Sequence, residues 1–192
     1  MTVDFPNKHF LINGEWVCSN TEIDLINPST GDVIAQVSEA NNEHVNDAVG
    51  VAKDTLENTW KNITARERST LLSTLGRLIE ENYDVLASLE ATDVGKPLRQ
   101  AQADVKALAR YMEFYAGAAD KLHGDTIPYL KDYTVYTLRE PHGVCAHIIP
   151  WNYPMQIIGR SVGAALATGN TCILKPAEEA CLTALALSLI HI

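Results

Sequence analysis

The 192-residue sequence lacks the cysteine spacings and basic clusters that several function classes require. Its four cysteines form no C-x-x-C pair and have no paired histidines nearby, which argues against a metal site built on thiols. Cys145 and Cys172 lie in apolar, strand-like runs, a setting typical of reduced, buried thiols rather than of a reactive nucleophile. The net charge of −9, without a clustered basic face, argues against nucleic-acid binding.

Long apolar runs are also absent. No stretch is long enough to span a bilayer, and Met1 to Phe10 lacks the apolar run with basic flanks that a secretory signal needs. The most apolar region, Val162 to Leu174, is interrupted by glycines. The sequence therefore predicts a cytoplasmic protein with no membrane partner. Hydrophobic residues make up 46% of the chain, which is enough to form a packed core.

The first part of the chain predicts short strands and then helices. Asn13-Gly14 predicts a two-residue hairpin turn within Phe10 to Val17. A second turn is expected at Ser29 to Asp32, followed by a strand over Val33 to Val37. Apolar residues at helical spacing then predict a helix whose buried face includes Val45, Ala48, Val49, Ala52, Leu56 and Trp60.

Local signals mark the ends of the next three helices. Thr64 and Glu67 form a capping box at the start of the second helix. Gly95 ends the third helix, and the fourth is predicted from about Leu98 to Ala119.

The last third of the chain predicts a βαβ unit. A loop is expected at Asp125 to Pro128, and alternation with period two predicts a strand over Tyr133 to Leu138. Val144 to Ile149 is a continuous apolar run, as in a strand buried on both faces. A helix beginning near Pro154, with Asn152 or Tyr153 near its cap, and a second buried strand at Thr171 to Leu174 complete the unit, with a further helix near Glu179. Such a unit predicts an α/β fold with a nucleotide site at the carboxyl ends of its strands.

The turns at those strand ends are not glycine-rich. The first turn reads Pro150-Trp151-Asn152-Tyr153-Pro154, which is rigid and does not admit a pyrophosphate as a G-x-G-x-x-G turn does. The second strand ends in Lys175-Pro176-Ala177-Glu178, a cation and a carboxylate that could both reach the hydroxyls of a sugar.

These residues resemble the aldehyde dehydrogenase superfamily. The match includes 148–154, 165–171 and 173–178, and earlier segments at 12–16, 27–31, 93–97 and 115–124 agree in the same order. The resemblance implies an aldehyde dehydrogenase-like α/β fold holding part of a Rossmann-type cofactor-binding domain. It implies the following division: residues 1–124 as strands and helices of that domain, 125–142 as the strand of an oligomerisation arm, and 143–186 as the start of the Rossmann-like fold. It also implies oxidation of an aldehyde to a carboxylic acid with NAD, in a homodimer or homotetramer.

The resemblance gives Asn152 a catalytic role. The matching asparagine donates its side-chain amide to the oxyanion of a thiohemiacetal, which suits a donor held on a rigid turn. The residues alone favour a different role, as the N-cap of the following helix, and the two roles are compatible.

The resemblance also implies a cofactor cleft. The matching residues are Ile148, Ile149, Pro150, Trp151, Asn152, Lys175 and Glu178. Lys175 and Glu178 match the pair that binds the adenosine ribose, and a carboxylate there favours NAD over NADP because it repels a 2′-phosphate. Without the resemblance these two residues would be a solvated strand end, and the four before Asn152 would be core packing.

A monovalent-cation site is a further implication. Asp93 and the backbone of Ile26 match its ligands, and carboxylate and carbonyl oxygens suit such an ion. The alternative is that Asp93 belongs to the helix-terminal turn before Gly95.

The family's catalytic cysteine and water-activating glutamate have no match in this chain, which is therefore expected to be inactive alone. The alternatives are a non-catalytic cofactor-binding or structural protein, and a relative that reduces activated acids to aldehydes. Residues 187–192 depart from the family and resemble a translated sequencing adapter, so genuine sequence is expected to end near Ala186.

Overall fold

The computed structural model describes residues 9–189 of the chain. The strands are β1 (Phe10–Ile12), β2 (Glu15–Val17), β3 (Glu22–Ile26), β4 (Val33–Ser38), β5 (Thr126–Ile127), β6 (Val135–Tyr136), β7 (Val144–Ile148) and β8 (Thr171–Lys175). The helices are α1 (Asn42–Asn58), α2 (Ala65–Glu81), α3 (Tyr83–Val94), α4 (Leu98–Ala118), α5 (Pro154–Ala167) and α6 (Leu182–Leu189), with a 3₁₀ turn at Trp60–Asn62. No helix within residues 9–189 is long and apolar enough to cross a membrane.

The predicted hairpin turn at Asn13-Gly14 is confirmed. Both residues have positive φ, 54° and 75°, which the tight turn between β1 and β2 requires and which asparagine and glycine tolerate. The next pair, β3 and β4, is also antiparallel, and its register shifts between Leu25 and Ile26. That shift leaves Ile34 as an extra residue on β4, opposite the end of β3 that carries Ile26.

The predicted helix signals are confirmed at α2 and α3. The Thr64 hydroxyl accepts from the Glu67 amide at 3.2 Å, and the Glu67 carboxylate accepts from the Thr64 amide at 2.8 Å. Gly95 ends α3 in the left-handed region, with φ of 74°. The predicted face of α1 is wrong in part, because Val45 is 52% exposed and Trp60 lies beyond the helix. Within α1 only Ala52 is fully buried.

The segment after α4 differs from its prediction. Residues 126–127 form a strand where a loop was expected, and the strand expected over Tyr133 to Leu138 is shortened to two residues. The reason is that β5 and β6 pair only with each other, so two residue pairs are all that this small ribbon holds in register.

The predicted βαβ unit is confirmed. Strands β7 and β8 run parallel with Val144 opposite Thr171 and Ile148 opposite Lys175, and α5 connects them. The expectation that Val144 to Ile149 is buried on both faces is wrong: Ile149 is 2% exposed but Ile148 is 80% exposed. Ile148 lies at the carboxyl end of β7, where its side chain is left uncovered by the described residues, whereas Val144 at the start of the strand is half-buried. The helix expected near Glu179 begins at Leu182.

The main core lies between the helices and this sheet. It is formed by α2, α3, α4, α5 and α6, and its fully buried members include Ile79, Leu86, Leu108, Met112 and Met155. Helix α5 lies close against α4, because a Cβ added at Gly159 or Gly163 would come within 2.8 Å of Tyr111 or Tyr115. Helix α6 continues past Ala186 to Leu189. The rest of the predicted non-native tail, residues 190–192, lies outside the described residues.

Candidate active site

The carboxyl ends of β7 and β8 open onto a cleft of about 590 Å³. The amide of Ile149 donates to the Lys175 carbonyl at 2.9 Å, which holds the two strand ends side by side. The cleft is lined by Ile23, Asp24, Ile26, Pro28, Asp93, Val94, Trp151, Glu178, Glu179 and Ala180. Residues predicted separately as cofactor and cation ligands therefore share one cleft.

The turn that follows β7 places its polar residues in solvent. Trp151 is 59% exposed, and Asn152 is also exposed. The N-cap of α5 is Tyr153, and no side chain caps the helix there. The alternative of Asn152 as the N-cap is therefore wrong, and its amide is not used to begin α5.

Lys175 and Glu178 form an exposed ion pair. The Lys175 Nζ lies 2.7 Å from the Glu178 Oε1, and this hydrogen bond holds the pKa of Glu178 below its ordinary value. A solvent-exposed pair of this kind contributes little to stability. It is better suited to presenting a cation and a carboxylate to a ligand, and Glu178 also lines the cleft.

Asp93 is 2% exposed although it carries a carboxylate. Its Oδ2 accepts from the Leu182 amide at 2.8 Å, and its Oδ1 is buried without a partner among the described residues. The pKa of Asp93 is raised to about 7, chiefly because the carboxyl group is buried; the hydrogen bond from the Leu182 amide lowers it, and the nearby Glu90 carboxylate raises it. An unpaired buried carboxylate oxygen on a residue that lines the cleft suits a bound cation.

A buried group of charges beneath the turn was not predicted from the sequence. Lys96 lies between two carboxylates, Glu90 and Asp104, that are 0% and 1% exposed. A signal existed: Asp104 lies three residues after Ala101 and four before Leu108, on the buried stripe of α4. A carboxylate on such a stripe indicates a buried partner, because an unpaired charge there is costly.

Two of the four cysteines are held as protonated thiols by burial. All four are free, and burial raises the pKa of Cys172 and of Cys181 to about 12. Cys145 and Cys172 face each other in register near the amino ends of β7 and β8, away from Asn152. Among residues 9–189 no group of three or more His, Cys, Asp or Glu side chains is arranged to hold a metal ion.

Comparison with known proteins decides the family. The model described as the aldehyde dehydrogenase family matches residues 16–191. The chain belongs to the aldehyde dehydrogenase family. It is 44% identical over 187 residues to aldehyde dehydrogenase family 2 member B4, mitochondrial, of Arabidopsis thaliana, covering 95% of this chain and 35% of that protein. The human mitochondrial aldehyde dehydrogenase is 43% identical over 186 residues, covering 94% and 36%.

Solved aldehyde dehydrogenases share the fold. A putative aldehyde dehydrogenase from Burkholderia cenocepacia superposes with a TM-score of 0.93 at 51% identity, over 95% of this chain and 39% of that one. An aldehyde dehydrogenase from Bacillus cereus, solved as an NAD⁺ complex, gives 0.93 at 42% identity, over 96% and 38%. The predicted aldehyde dehydrogenase-like α/β fold is confirmed. The chain spans roughly a third of the length of the curated relatives it matches.

Proposed function

We propose that this chain forms part of an enzyme that oxidises an aldehyde to a carboxylic acid, with NAD as the hydride acceptor. The observation that carries the proposal is the cleft at the carboxyl ends of β7 and β8, which brings Trp151 and Glu178 together beside the turn bearing Asn152. This is the edge of a parallel sheet where α/β folds bind nucleotides. Membership of the aldehyde dehydrogenase family supports the reaction class.

The residues at the strand ends fit a dinucleotide. Ile148 and Trp151 expose apolar surface of the kind that packs against rings, being 80% and 59% exposed. Lys175 and Glu178 would bind the hydroxyls of a ribose, with Ile149 and Pro150 holding the wall of the cleft from behind. Solved relatives include an NAD⁺ complex and an enzyme named as NADP dependent, so the preference for NAD rests on the Glu178 carboxylate.

The Asn152 side-chain amide would bind the aldehyde oxygen rather than cap α5. Its side-chain amide is exposed and does not cap α5. Donated to the oxygen where negative charge develops, such an amide lowers the barrier to attack on the carbonyl. Bound NAD would supply the hydride-accepting group.

A monovalent cation is part of the proposal. The partnerless Oδ1 of Asp93 and the backbone carbonyl of Ile26 would ligate it, since both residues line the cleft. Ile26 also lies at the point where the register of β3 and β4 shifts, next to the cleft.

The β5–β6 ribbon is the proposed oligomerisation arm of a homodimer or homotetramer. Its apolar side chains are exposed, including Tyr129, Leu130, Tyr133, Tyr136 and Leu138 at 63–71%. Exposed apolar surface of this extent is typical of protein–protein contacts. The cytoplasm stays the predicted compartment, although several relatives are named as mitochondrial.

We propose that the 192 residues do not turn over aldehydes alone, because no cysteine beside Asn152 is available as a nucleophile. Purified chain mixed with NAD and an aliphatic or aromatic aldehyde should give no rise in absorbance at about 340 nm, where the reduced nicotinamide of NADH absorbs. Measurable aldehyde-dependent turnover would refute this proposal and point to a nucleophile among the four cysteines.

Binding of NAD by the chain tests the cofactor proposal. Isothermal titration should show NAD binding, and Glu178→Gln should weaken it by roughly tenfold because a charged hydrogen bond to the ribose is lost. The same variant should narrow the preference for NAD over NADP. Glu179→Gln is the matched control, because Glu179 lines the same cleft and its substitution removes the same charge. Equal losses in both variants would mean that Glu178 makes no specific contact with the ribose.

A further inference from the structure

The charges beneath the turn form one buried unit, here called the charge cluster: Glu90, Lys96 and Asp104. The Lys96 Nζ lies 2.8 Å from the Glu90 Oε1 and 2.7 Å from the Asp104 Oδ2. Burial alone would lower the pKa of Lys96, but the hydrogen bonds to Asp104 and Glu90 outweigh it and raise the pKa. Lys96 is therefore a fixed cation whose position is set by α3 on one side and α4 on the other.

The fixed cation reaches the turn that bears Asn152. Its Nζ lies 4.6 Å from the centroid of the Tyr153 ring, within the range of a cation–π contact. From the first turn of α4, Gln100 Nε2 donates to the Tyr153 phenol oxygen at 2.5 Å. The residue directly after Asn152 is thus held at its ring by Lys96 and at its hydroxyl by Gln100.

The same cluster holds the helices that follow both strands. Asp104 Oδ1 accepts from Gln156 Nε2 of α5 at 2.6 Å. Glu90 Oε2 accepts from the Thr183 hydroxyl of α6 at 2.8 Å. The charge cluster therefore fixes the start of α5 and the start of α6, the helices that follow the two strand ends at the mouth of the cleft.

Local structure does not hold the turn by itself. Tyr153 has φ of −137° and ψ of 57° and caps α5 without a side-chain hydrogen bond. Trp151 and Asn152 extend into solvent. Because the usual capping contact is absent at this helix end, the tertiary contacts to Tyr153 are what define the position of the residue before it.

We propose that Lys96 and Gln100 are positioning residues that act through Tyr153 to hold Asn152 at the mouth of the cleft. The contacts to Tyr153 stand without the proposed function; only the purpose of holding the turn, which is to aim the Asn152 amide, rests on it. An oxyanion donor stabilises a transition state only when it is held close to the productive geometry, so supports outside the reacting group matter as much as the donor. Arg160 and Tyr111, a similar pair at 5.5 Å between α5 and α4, have no such access to the turn.

The test uses the chain labelled with 5-fluorotryptophan. It contains three tryptophans, so fluorine NMR gives three signals, with Trp151 assigned from Trp151→Phe. Trp151 reports on the turn, whereas Trp16 and Trp60 report on distant parts of the same molecule. Tyr153→Leu removes both contacts, Tyr153→Phe keeps the ring over Lys96, and Gln100→Leu removes only the hydrogen-bond donor.

In Tyr153→Leu the Trp151 signal should move towards the value of a free tryptophan and its transverse relaxation rate should fall roughly twofold as the turn gains motion. Trp16 and Trp60 should stay unchanged. Tyr153→Phe and Gln100→Leu should each give a smaller shift, and their double variant should add nothing further because they share one bond. Tyr111→Leu is the control, a tyrosine also under a cation and packed on α5, and it should leave Trp151 unmoved.

An unchanged Trp151 signal in Tyr153→Leu would overturn the proposal, as would equal movement of all three signals, which would mean general loosening of the fold. Titration with NAD on the unmodified chain separates this outcome from the proposed function. Absence of NAD binding sinks the cofactor proposal but does not alter how Tyr153 holds the turn.

Discussion

Replacing Lys96 by methionine is expected to lower the free energy of unfolding by about 3–5 kcal/mol, because it leaves two buried carboxylates without a countercharge. The carboxylates of Glu90 and Asp104 are 0% and 1% exposed, so water cannot compensate them. Methionine keeps most of the aliphatic length of lysine, which limits the loss of packing. Urea unfolding followed by circular dichroism measures the change, at about pH 7.5, where ordinary lysines are protonated and ordinary carboxylates are ionised.

Two controls isolate the charge. Lys53→Met makes the same substitution on an exposed position of α1 and should change stability by no more than about 0.5 kcal/mol. The triple variant Glu90→Gln, Lys96→Met, Asp104→Asn removes all three charges and should recover most of the loss, since Gln156 and Thr183 can still donate to the amides. A Lys96→Met protein as stable as the unsubstituted chain would show that the carboxylates find other compensation.

Asp93→Asn is expected to stabilise the chain above neutral pH and to leave it nearly unchanged in acid. The pKa of Asp93 is about 7 in the folded protein, against roughly 3.9 in an unfolded chain. Between these values the folded state holds a proton that the unfolded state has lost, so stability falls as pH rises from about 4 to 7. The ionised carboxylate then costs on the order of 4 kcal/mol above pH 7.

Asparagine removes this cost because its side-chain oxygen can accept from the Leu182 amide in place of the Asp93 Oδ2. The difference in unfolding free energy between Asp93→Asn and the unsubstituted chain should therefore be small near the unfolded pKa, at about pH 4, and grow until about a unit above the folded pKa, at about pH 8. The experiment is run in tetramethylammonium chloride, because methyl groups cover the charge of this cation and oxygen atoms cannot ligate it. A difference that does not change with pH would mean that Asp93 titrates normally.

Repeating the measurement in potassium or sodium chloride tests the proposed cation site. A small cation at the free Oδ1 of Asp93 should raise the melting temperature of the unsubstituted chain at high pH, because it binds the ionised folded form. Asp93→Asn should show no such gain. A gain of equal size in both proteins would place the salt effect elsewhere.

Local features of this fold were predictable from short stretches of sequence. The Asn13-Gly14 turn and the Thr64–Glu67 capping box depend on residues that touch within three positions of each other, so their chemistry is visible in the sequence itself. The βαβ unit was predictable for the same reason, since apolar runs of the right length and the Pro154 helix start mark it. The family followed from motifs in order along nearly the whole chain, and comparison with known proteins confirmed it.

Long-range features were not predictable in this way. The exposure of Ile148 depends on which layers cover the sheet, and an apolar strand reads the same with or without them. The contact between Glu90 and Thr183 joins positions 93 residues apart, and Gln100 and Tyr153 are separated by 53. No pattern within a helix specifies which distant side chain will meet a buried carboxylate.

The sequence by itself determined most of the elements, their order and the family, because caps, turns and periodicity are set by neighbouring residues. Only the tertiary structure decided how Asp93, Trp151 and Glu178 come to line one cleft and how a buried lysine comes to lie under Tyr153. These placements arise when α3 and α4 pack against α5 and α6, since burying their apolar faces also brings Glu90, Lys96 and Asp104 together. Because an unpaired buried charge is costly, the arrangement that packs the apolar faces of these helices is also the one that pairs Lys96 with the two carboxylates.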